Sequence, residues 1–479
     1  MKPFGFAFLG AAITLAYEGE AADMPQMVAA TSTVSARPPP PHVTLADELK
    51  RANYKTLALG KWHQGQRPMY LPARRGFDEF LGLPFSVDDG AGFLSSCANG
   101  TEAAALTVAA AAKAAVEQPG RLGSGLGPLL PLPLIFQSVA SNLSKIVEQP
   151  TDLRLLTSRL LDHALDFVGR ASSERQRFFV YFAFGHVHTA TANISPDRQY
   201  AGCPFAGSTA HPFGDAVAEV DDAVGKLLGH IETLRLAEET LTIFTSDNGP
   251  SVRWQGGAGT TGPFVGASAA FANGTRYQNT AKGSTWEGGV RMPAFVHWPG
   301  VVAPGSIAYT TVSTLDVLPS LLHLLGRSAQ GRIIDGTLSL ADAILANGSA
   351  PTRHAFLPLY NEPAYANASR RIFAARLGRY KAHWITSPGL GGGDLPYRGP
   401  SLEAAHPIPL IYDVEADPAE AFPLPASRLP KHLLAELHAR KAAYESSLKA
   451  AHLDRPGLGV QVCTLLRHRL HATVHVPVY

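Results

Sequence analysis

Leu241-Thr242-Ile243-Phe244-Thr245-Ser246 is followed at once by Asp247-Asn248-Gly249-Pro250. The first six residues, mostly apolar or β-branched, read as a buried strand; Asp, Asn, Gly and Pro stop a strand and turn the chain. Upstream, Val217, Val220, Val224, Leu227, Leu228, Ile231 and Leu234 recur at helical spacing, so a helix over 213–235 feeds this strand. In open α/β sheets ligands sit beyond the carboxyl ends of strands, where Asp247 and Asn248 fall. Two hard oxygen side chains in succession suit a divalent cation. Taken alone, they read first as a turn closed by an Asx hydrogen bond, and the rest of the chain has to decide.

The same alternation runs outward from this stretch. Thr44-Leu45-Ala46-Asp47 reads as a capping-box start, and Leu45, Leu49 and Ala52 carry a helix to Asn53. Thr56–Leu59 reads as a buried strand with Gly60-Lys61-Trp62-His63-Gln64-Gly65 at its carboxyl end, and Arg75–Ser86 as a second loop. Leu153, Leu156, Leu160, Ala164, Leu165 and Val168 mark an amphipathic helix from Thr151 to Val168. Phe178–Phe184 is a central strand ending in Gly185-His186-Val187-His188. Residues 251–280 are loop-rich, Ala294–Trp298 is another strand, and Leu315–Leu325 is a helix closed by Gly326. Helix and strand in alternation predict an α/β sheet with helices on both faces.

The tail changes character. Ile372–Arg376 and Tyr380–Trp384 flank Leu377-Gly378-Arg379 as a hairpin, Leu410–Tyr412 adds a strand, and Leu429–Ala450 a helix. A small antiparallel sheet with a helix is expected there, beyond a boundary near Gly326. Residues 103–135 are low in complexity and read as a surface excursion.

Composition sets the frame. With 479 residues, 46% hydrophobic and 17% charged, the chain can bury a large core and a smaller second unit. A formal net charge of +2 gives no footing for nucleic acid. Cys97, Cys203 and Cys463 have no zinc or redox spacing and allow at most one internal disulfide. Glycosylation sequons begin at Asn99, Asn142, Asn193, Asn273, Asn347 and Asn367, which together point to the secretory route. Lys2 followed by Phe4–Ala16 reads as the apolar region of a signal peptide, too short for a membrane span. Residues 1–43 are therefore expected to be a leader with a Pro-rich linker ending in Pro38–Pro41, and the protein to be secreted or lysosome-type.

Four strand ends carry polar groups: Lys61 with His63, His186 with His188, Asp247 with Asn248, and Lys282 on a glycine-flanked loop. Lysine and histidine beside a cation site suit a tetrahedral oxyanion, because lysine acts as a point charge and histidine donates a hydrogen bond or a proton. Singly, each is more simply a solvated lysine or a structural histidine; their recurrence at strand ends is what counts.

Gly60-Lys-Trp-His-Gln-Gly65, Arg75-Gly-Phe-Asp to Ser86, Thr245-Ser-Asp-Asn-Gly-Pro250 and Lys282-Gly-Ser-Thr-Trp-Glu-Gly-Gly-Val-Arg-Met-Pro293 resemble the sulfatases. The likeness is to the arylsulfatase A and N-acetylgalactosamine-6-sulfatase branch. Phe213 to Gly225, Leu315 to Ser320 and Gly378 to Trp384 extend it, in order, from about Thr44 to Asp417. The resemblance implies an alkaline-phosphatase-like α/β sandwich with a mixed, mostly parallel sheet over 44–326. A small C-terminal antiparallel sheet and helix would occupy 327–479. It also implies calcium and hydrolysis of sulfate esters through a formylglycine made from cysteine or serine. Lys61 and His63 would hold sulfate oxygens and the formylglycine hydroxyl, and Ser86 the sulfate group. His188 and Lys282 would contact the ester and assist the leaving oxygen. Asp247 and Asn248 would be calcium ligands, and His383 would lie near the substrate rim.

The chain departs from this pattern in two places. His188 is followed by Thr189-Ala190 where the family usually has a proline two positions on. Before Thr44 there is neither a strand ending in paired aspartates nor a Cys-x-Pro/Ala-x-Arg nucleophile motif. Cys97-Ala-Asn-Gly-Thr101 and Cys203-Pro-Phe-Ala-Gly207 lack the arginine, and Cys463-Thr-Leu-Leu-Arg467 has leucine for the proline. Without the aldehyde hydrate there is no covalent catalysis. The expectation is a sulfatase-family chain missing its N-terminal portion, acting on an aryl or carbohydrate sulfate. Its rivals are a non-catalytic secreted relative that binds sulfated glycans and, behind it, a phosphodiesterase of the same superfamily. Neither nucleic acid nor a membrane is expected as partner.

Overall fold

The computed structural model describes residues 5–10, 43–95, 97, 131–190, 199–251, 259–268, 279–328, 335–346, 353–360, 371–389 and 403–453. The chain divides into two compact units. One is Met1–Asp247 with Gln255–Ala258 and Met292–Pro351; the other is Asn248–Trp254, Gly259–Arg291 and Thr352–Tyr479.

In the first unit, strands alternate between two apolar surroundings, and that periodicity of two explains the layers. Strands β1 (Gly5–Gly10), β2 (Tyr54–Lys61), β3 (Glu79–Leu83), β4 (Leu134–Ser138), β5 (Leu143–Glu148), β6 (Arg177–Ala183), β7 (Thr240–Thr245) and β8 (Ala294–His297) form one sheet. Its order is β5-β4-β3-β2-β6-β1-β7-β8. The central pairs β3–β2, β2–β6, β6–β1 and β1–β7 are parallel, and the flanking pairs antiparallel. Ala7 and Leu9 of β1, Leu57 and Leu59 of β2, and Phe178, Val180 and Phe182 of β6 enter one core cluster. There they meet helices α2 (Leu153–Ser173) and α3 (Pro212–Thr233) through Leu156, Leu160, Ala164, Val224 and Leu227. Phe6, Phe8, Ala58 and Phe179 enter the other cluster. That face is covered by helices α1 (Leu45–Arg51), α4 (Val317–Leu324) and α5 (Ser339–Leu345) through Leu49, Leu321 and Ile344. Helix α1 begins as read, with Thr44 and Asp47 closing a reciprocal capping box.

Three expectations are corrected. Residues 5–10, read within a leader, form β1 at the centre of the sheet between β6 and β7. A run such as Phe6-Ala-Phe-Leu9 meets the apolar requirement of a signal segment and of a strand buried on both faces, and only pairing separates them. Arg75–Ser86, read as a loop, contains β3, in which Gly82 lets the strand lie against the backbone of Gly60. The β4–β5 hairpin lies where no strand was expected. Residues 11–42, most of the low-complexity excursion, Cys463 and every sequon asparagine except Asn142 lie outside the described residues.

The second unit holds an antiparallel sheet of order β12-β11-β10-β9, from β9 (Leu357–Tyr360), β10 (Ile372–Leu377), β11 (Tyr380–Thr386) and β12 (Ala404–Asp413). The β10–β11 hairpin turns through Gly378 at φ +59°, a left-handed conformation that glycine adopts without strain. Helix α6 (Leu433–Leu453) packs Leu433 and Leu437 with Phe373, Ala382, Trp384 and Ile411. Residues 259–291, expected in the first domain, belong to this unit. The reason is Trp286, which is fully buried against His383 and Tyr412. Among the described residues no helix is long and apolar enough to cross a membrane.

Candidate active site

Pairing register brings the carboxyl ends of the central strands level. Ala183 of β6 lies opposite both Gly60 of β2 and Gly10 of β1, and Gly10 lies opposite Thr245 of β7. The next residues along each strand are the sequence-predicted ones: Lys61 and His63 after β2, Ser86 after β3, His186 and His188 after β6, Asp247 after β7. Gly60 sits at φ +83°, and a Cβ there would enter the Ala183 carbonyl, so the close approach of β2 and β6 needs glycine.

Lys61 is 9% exposed, and its ammonium meets no hydrogen-bonding or charged partner among the described residues. A largely enclosed lysine whose ammonium has no partner among the described residues is a point at which an anion can be held. On the adjoining strand end, Ser86 is 2% exposed and its hydroxyl has no partner among the described residues. Both loops are fastened by Asp89. Its Oδ2 accepts from the Ser86 N–H at 3.1 Å and lies 3.4 Å from His63 Nε2. The His63 N–H donates to the Pro84 carbonyl at 3.1 Å, with His63 held at φ +53°. Neither Asp88 nor Asp89 was singled out by sequence reasoning; the signal was the pair of carboxylates immediately after Ser86-Val87.

His188 Nδ1 lies 2.8 Å from the Thr189 carbonyl, which only accepts, so the neutral ring carries its proton on Nδ1 and its lone pair on Nε2. Asp88 Oδ1 is 3.6 Å from the same nitrogen. His186 is a different case. It is buried, its Nε2 meets Glu219 Oε2 at 2.9 Å, and it packs on the Tyr200 ring at 4.2 Å. Glu219 also accepts from the Gly202 N–H. Burial pushes the Tyr200 phenol well above its usual range, with Glu219 and Asp88 adding to the effect. His186 thus ties the loop before His188 to α3. A carboxylate among the buried positions Ala216, Glu219, Ala223 and Leu227 of that helix was the signal for its partner.

The second unit carries Asn248, Lys282 and His383. Asn248 Nδ2 donates to the Gly249 carbonyl at 2.9 Å, and the Lys282 N–H to the Pro250 carbonyl at 3.0 Å. His383, expected near the substrate rim, is 0% exposed. It sits on β11 with its Nε2 2.8 Å from Glu420 Oε1 and its ring stacked on Trp286. The structure thus encloses His383, which the resemblance put near the substrate rim: both faces of β11 are buried, and Trp286, Tyr412 and Glu420 cover this residue. Burial lowers its pKa, against the opposing pull of Glu420.

The described residues do not fit the implied calcium. Calcium takes six to eight oxygens, and Asp247 with Asn248 offers at most three. Among the described residues no group of three His, Cys, Asp or Glu side chains could hold a metal ion. The residues after Gly10 of β1 are Ala11 and Ala12, which have no side-chain oxygen. No nucleophile is found at a described cysteine either, since Cys97 and Cys203 form a disulfide with Cα atoms 5.8 Å apart. Asn142 is exposed at φ +48° in the turn between β4 and β5.

A family model described as Sulfatase matches residues 21–327, and one described as the C-terminal region of aryl-sulfatase matches 352–456. Arylsulfatase A of Homo sapiens is 35% identical over 388 residues, covering 80% of this chain and 66% of that protein. Arylsulfatase G of Homo sapiens is 32% identical over 391 residues, with 80% and 66% covered. N-acetylgalactosamine-6-sulfatase of Canis lupus familiaris is 29% identical over 398 residues, with 79% and 64% covered. The chain spans about two thirds of the length of these relatives. In fold, it resembles the PsFucS1 sulfatase from Pseudoalteromonas sp., with a TM-score of 0.62 at 22% identity over 87% of this chain and 74% of the other.

Proposed function

The chain belongs to the sulfatase family, and on that footing we propose that it recognises the sulfate group of a sulfated small molecule or glycan. The observation that carries the reading is Lys61, a largely buried lysine without a counter-charge among the described residues, on the strand end next to the Ser86 hydroxyl, which has no partner among those residues. The anionic, tetrahedral sulfate group of an ester supplies what both lack. Lys61 Nζ and the Ser86 hydroxyl donate to sulfate oxygens, as does His63. His188, when a second proton is taken up on Nε2, donates to the ester oxygen; for Lys282 a contact with the ester is what the family resemblance implies.

Hydrolysis of sulfate esters is the reaction at the level of the family. Its covalent step needs a nucleophile; this sequence has no Cys-x-Pro/Ala-x-Arg, and Ser349-Ala-Pro-Thr-Arg353 has the serine form of that spacing. The remaining groups position and polarise only. No step is assigned to calcium, because the donor set does not fit it. The Cys97–Cys203 disulfide and the six sequons support passage through the secretory route.

Calorimetric titration with sulfate, together with an aryl sulfate assay, tests this. We expect Lys61→Ala to weaken sulfate binding by about tenfold or more, equivalent to about 1.4 kcal/mol, and to lower any aryl sulfate turnover with it. Equal sulfate affinity in both proteins, or turnover unaffected by Lys61→Ala, would overturn the proposal.

A further inference from the structure

Within the second unit, the segment that carries Lys282 runs antiparallel to β11 and its continuation and is pinned to them at three levels. At the far end, Gly389 donates its N–H to the Asn279 carbonyl at 2.9 Å. A Cβ on Gly389 would stand 2.7 Å from Asn279 Oδ1 and 2.8 Å from the Lys282 carbonyl oxygen. In the middle, His383 stacks on Trp286 with ring centroids 4.4 Å apart, and its Nδ1 lies 3.5 Å from Thr285 Oγ1. At the near end, Lys381 Nζ donates to Glu287 Oε1 at 2.9 Å, and Glu420 Oε2 accepts from the Glu287 N–H at 2.6 Å. Glu420 Oε1 also meets His383 Nε2, so one buried carboxylate joins two of the pins.

These contacts are hard to move. Trp286, Lys381, His383 and Glu420 are all 0% exposed. Displacing any one of them leaves a buried charge or an empty ring-sized space. Lys282 lies between the Gly389 pin and the Trp286 pin, on a turn in which Ser284 donates back to the Ala281 carbonyl. Its backbone is held from both sides, while its side chain is only partly buried.

We propose that β11 and its extension to Gly389 are a splint that sets where Lys282 presents its ammonium, with His383 and Glu420 as positioning residues. The splint is also the reason His383 lies in the core. The proposal rests on the reading of Lys282 as an anion contact only for its consequence in binding; the geometry of the splint stands apart from it.

The test therefore has two readouts on folded full-length chains. Sulfate affinity is measured for Gly389→Ala and His383→Ala with Lys282 present and in a Lys282→Ala background. The rate at which the Lys282 amine is acylated by an N-hydroxysuccinimide acetate pulse is read by peptide mass spectrometry, with exposed Lys226 as reference. We expect each variant to weaken sulfate about three- to tenfold only when Lys282 is present, and to shift the Lys282 acylation rate by a similar factor while Lys226 is unchanged. His383→Phe, which keeps a stacked ring on Trp286, should restore the Lys282 rate towards wild type. Equal weakening in both backgrounds, or an unchanged Lys282 rate in folded variants, would overturn the splint. If the wild type does not bind sulfate, the functional reading above falls, and the acylation comparison alone decides this inference.

Discussion

Replacing Lys381 with methionine isolates the charge at the heart of the second unit. The lysine ammonium lies 2.9 Å from Glu287 Oε1 and 3.3 Å from Glu420 Oε1, all three side chains being buried. Methionine matches the stem but leaves the two carboxylates without that cation. Removing one member of a buried ion pair costs about 3–5 kcal/mol, mostly the penalty of the charge left behind. Arg291 and Arg376 stand 3.5 and 3.8 Å from Glu287 Oε2, and His383 is bonded to Glu420, so the low end, about 3 kcal/mol, is expected here. For a unit of this size that is a fall in melting temperature of roughly 6–12 °C.

The pH dependence has a definite sign. In the wild type, burial alone would raise the Glu420 carboxyl, but Lys381 and His383 hold it well below its usual range. Its stabilisation is present above the unfolded carboxylate pKa and is lost as pH falls through the depressed folded value. In Lys381→Met the Glu420 carboxyl loses the largest of the influences that lower it and rises, so the penalty is largest near neutrality and shrinks as that group protonates. His383 works in the same direction, because Lys381 is one of the groups that lower its pKa, after burial. Urea unfolding followed by tryptophan fluorescence reports on this unit, since Trp286 and Trp384 are both buried in it. A loss below about 1 kcal/mol at pH 7.5, or a larger penalty at pH 5 than at pH 7.5, would refute the argument.

Three other outcomes are expected. Leu9→Ala should destabilise the first unit by about 2–5 kcal/mol, because Leu9 is fully buried in β1; stability unchanged in urea would return residues 5–10 to a leader. The Cys97–Cys203 bond closes a span of 106 residues, so Cys97→Ser should cost about 2–4 kcal/mol, and identical unfolding midpoints in reducing and oxidising buffer would contradict it. Made in a secretory host, the chain should carry glycosidase-sensitive mass at Asn142, which is exposed in the β4–β5 turn; an unmodified Asn142 peptide would show that the sequon is not used.

Much of the parallel core and the row of strand ends is legible along the chain because each rests on local spacing. A helical period of apolar residues before Leu241, a β-branched run, and then Asp247-Asn248-Gly249 declare helix, strand and strand end without any distant partner. Lys61, His63, Ser86 and His188 could be named for the same reason: each follows an apolar run or lies in a motif of neighbours. What tertiary structure alone decided concerns pairing. Phe6–Leu9 suits a leader and a doubly buried strand equally, and only its register with β6 and β7 makes it the centre of the sheet. His383 sits in a motif that resembles a substrate rim, yet packing on both faces of β11 and the carboxylate of Glu420, 37 residues away in sequence, bury it. Trp286 and Glu287 belong by sequence to the run after β7, but a large ring and a carboxylate must be enclosed and paired, and the partners that do so are Tyr412, His383 and Lys381. Local spacing sets which residues lie at a strand's end or on a helix's face; which distant charge neutralises them is decided only when the chain closes on itself.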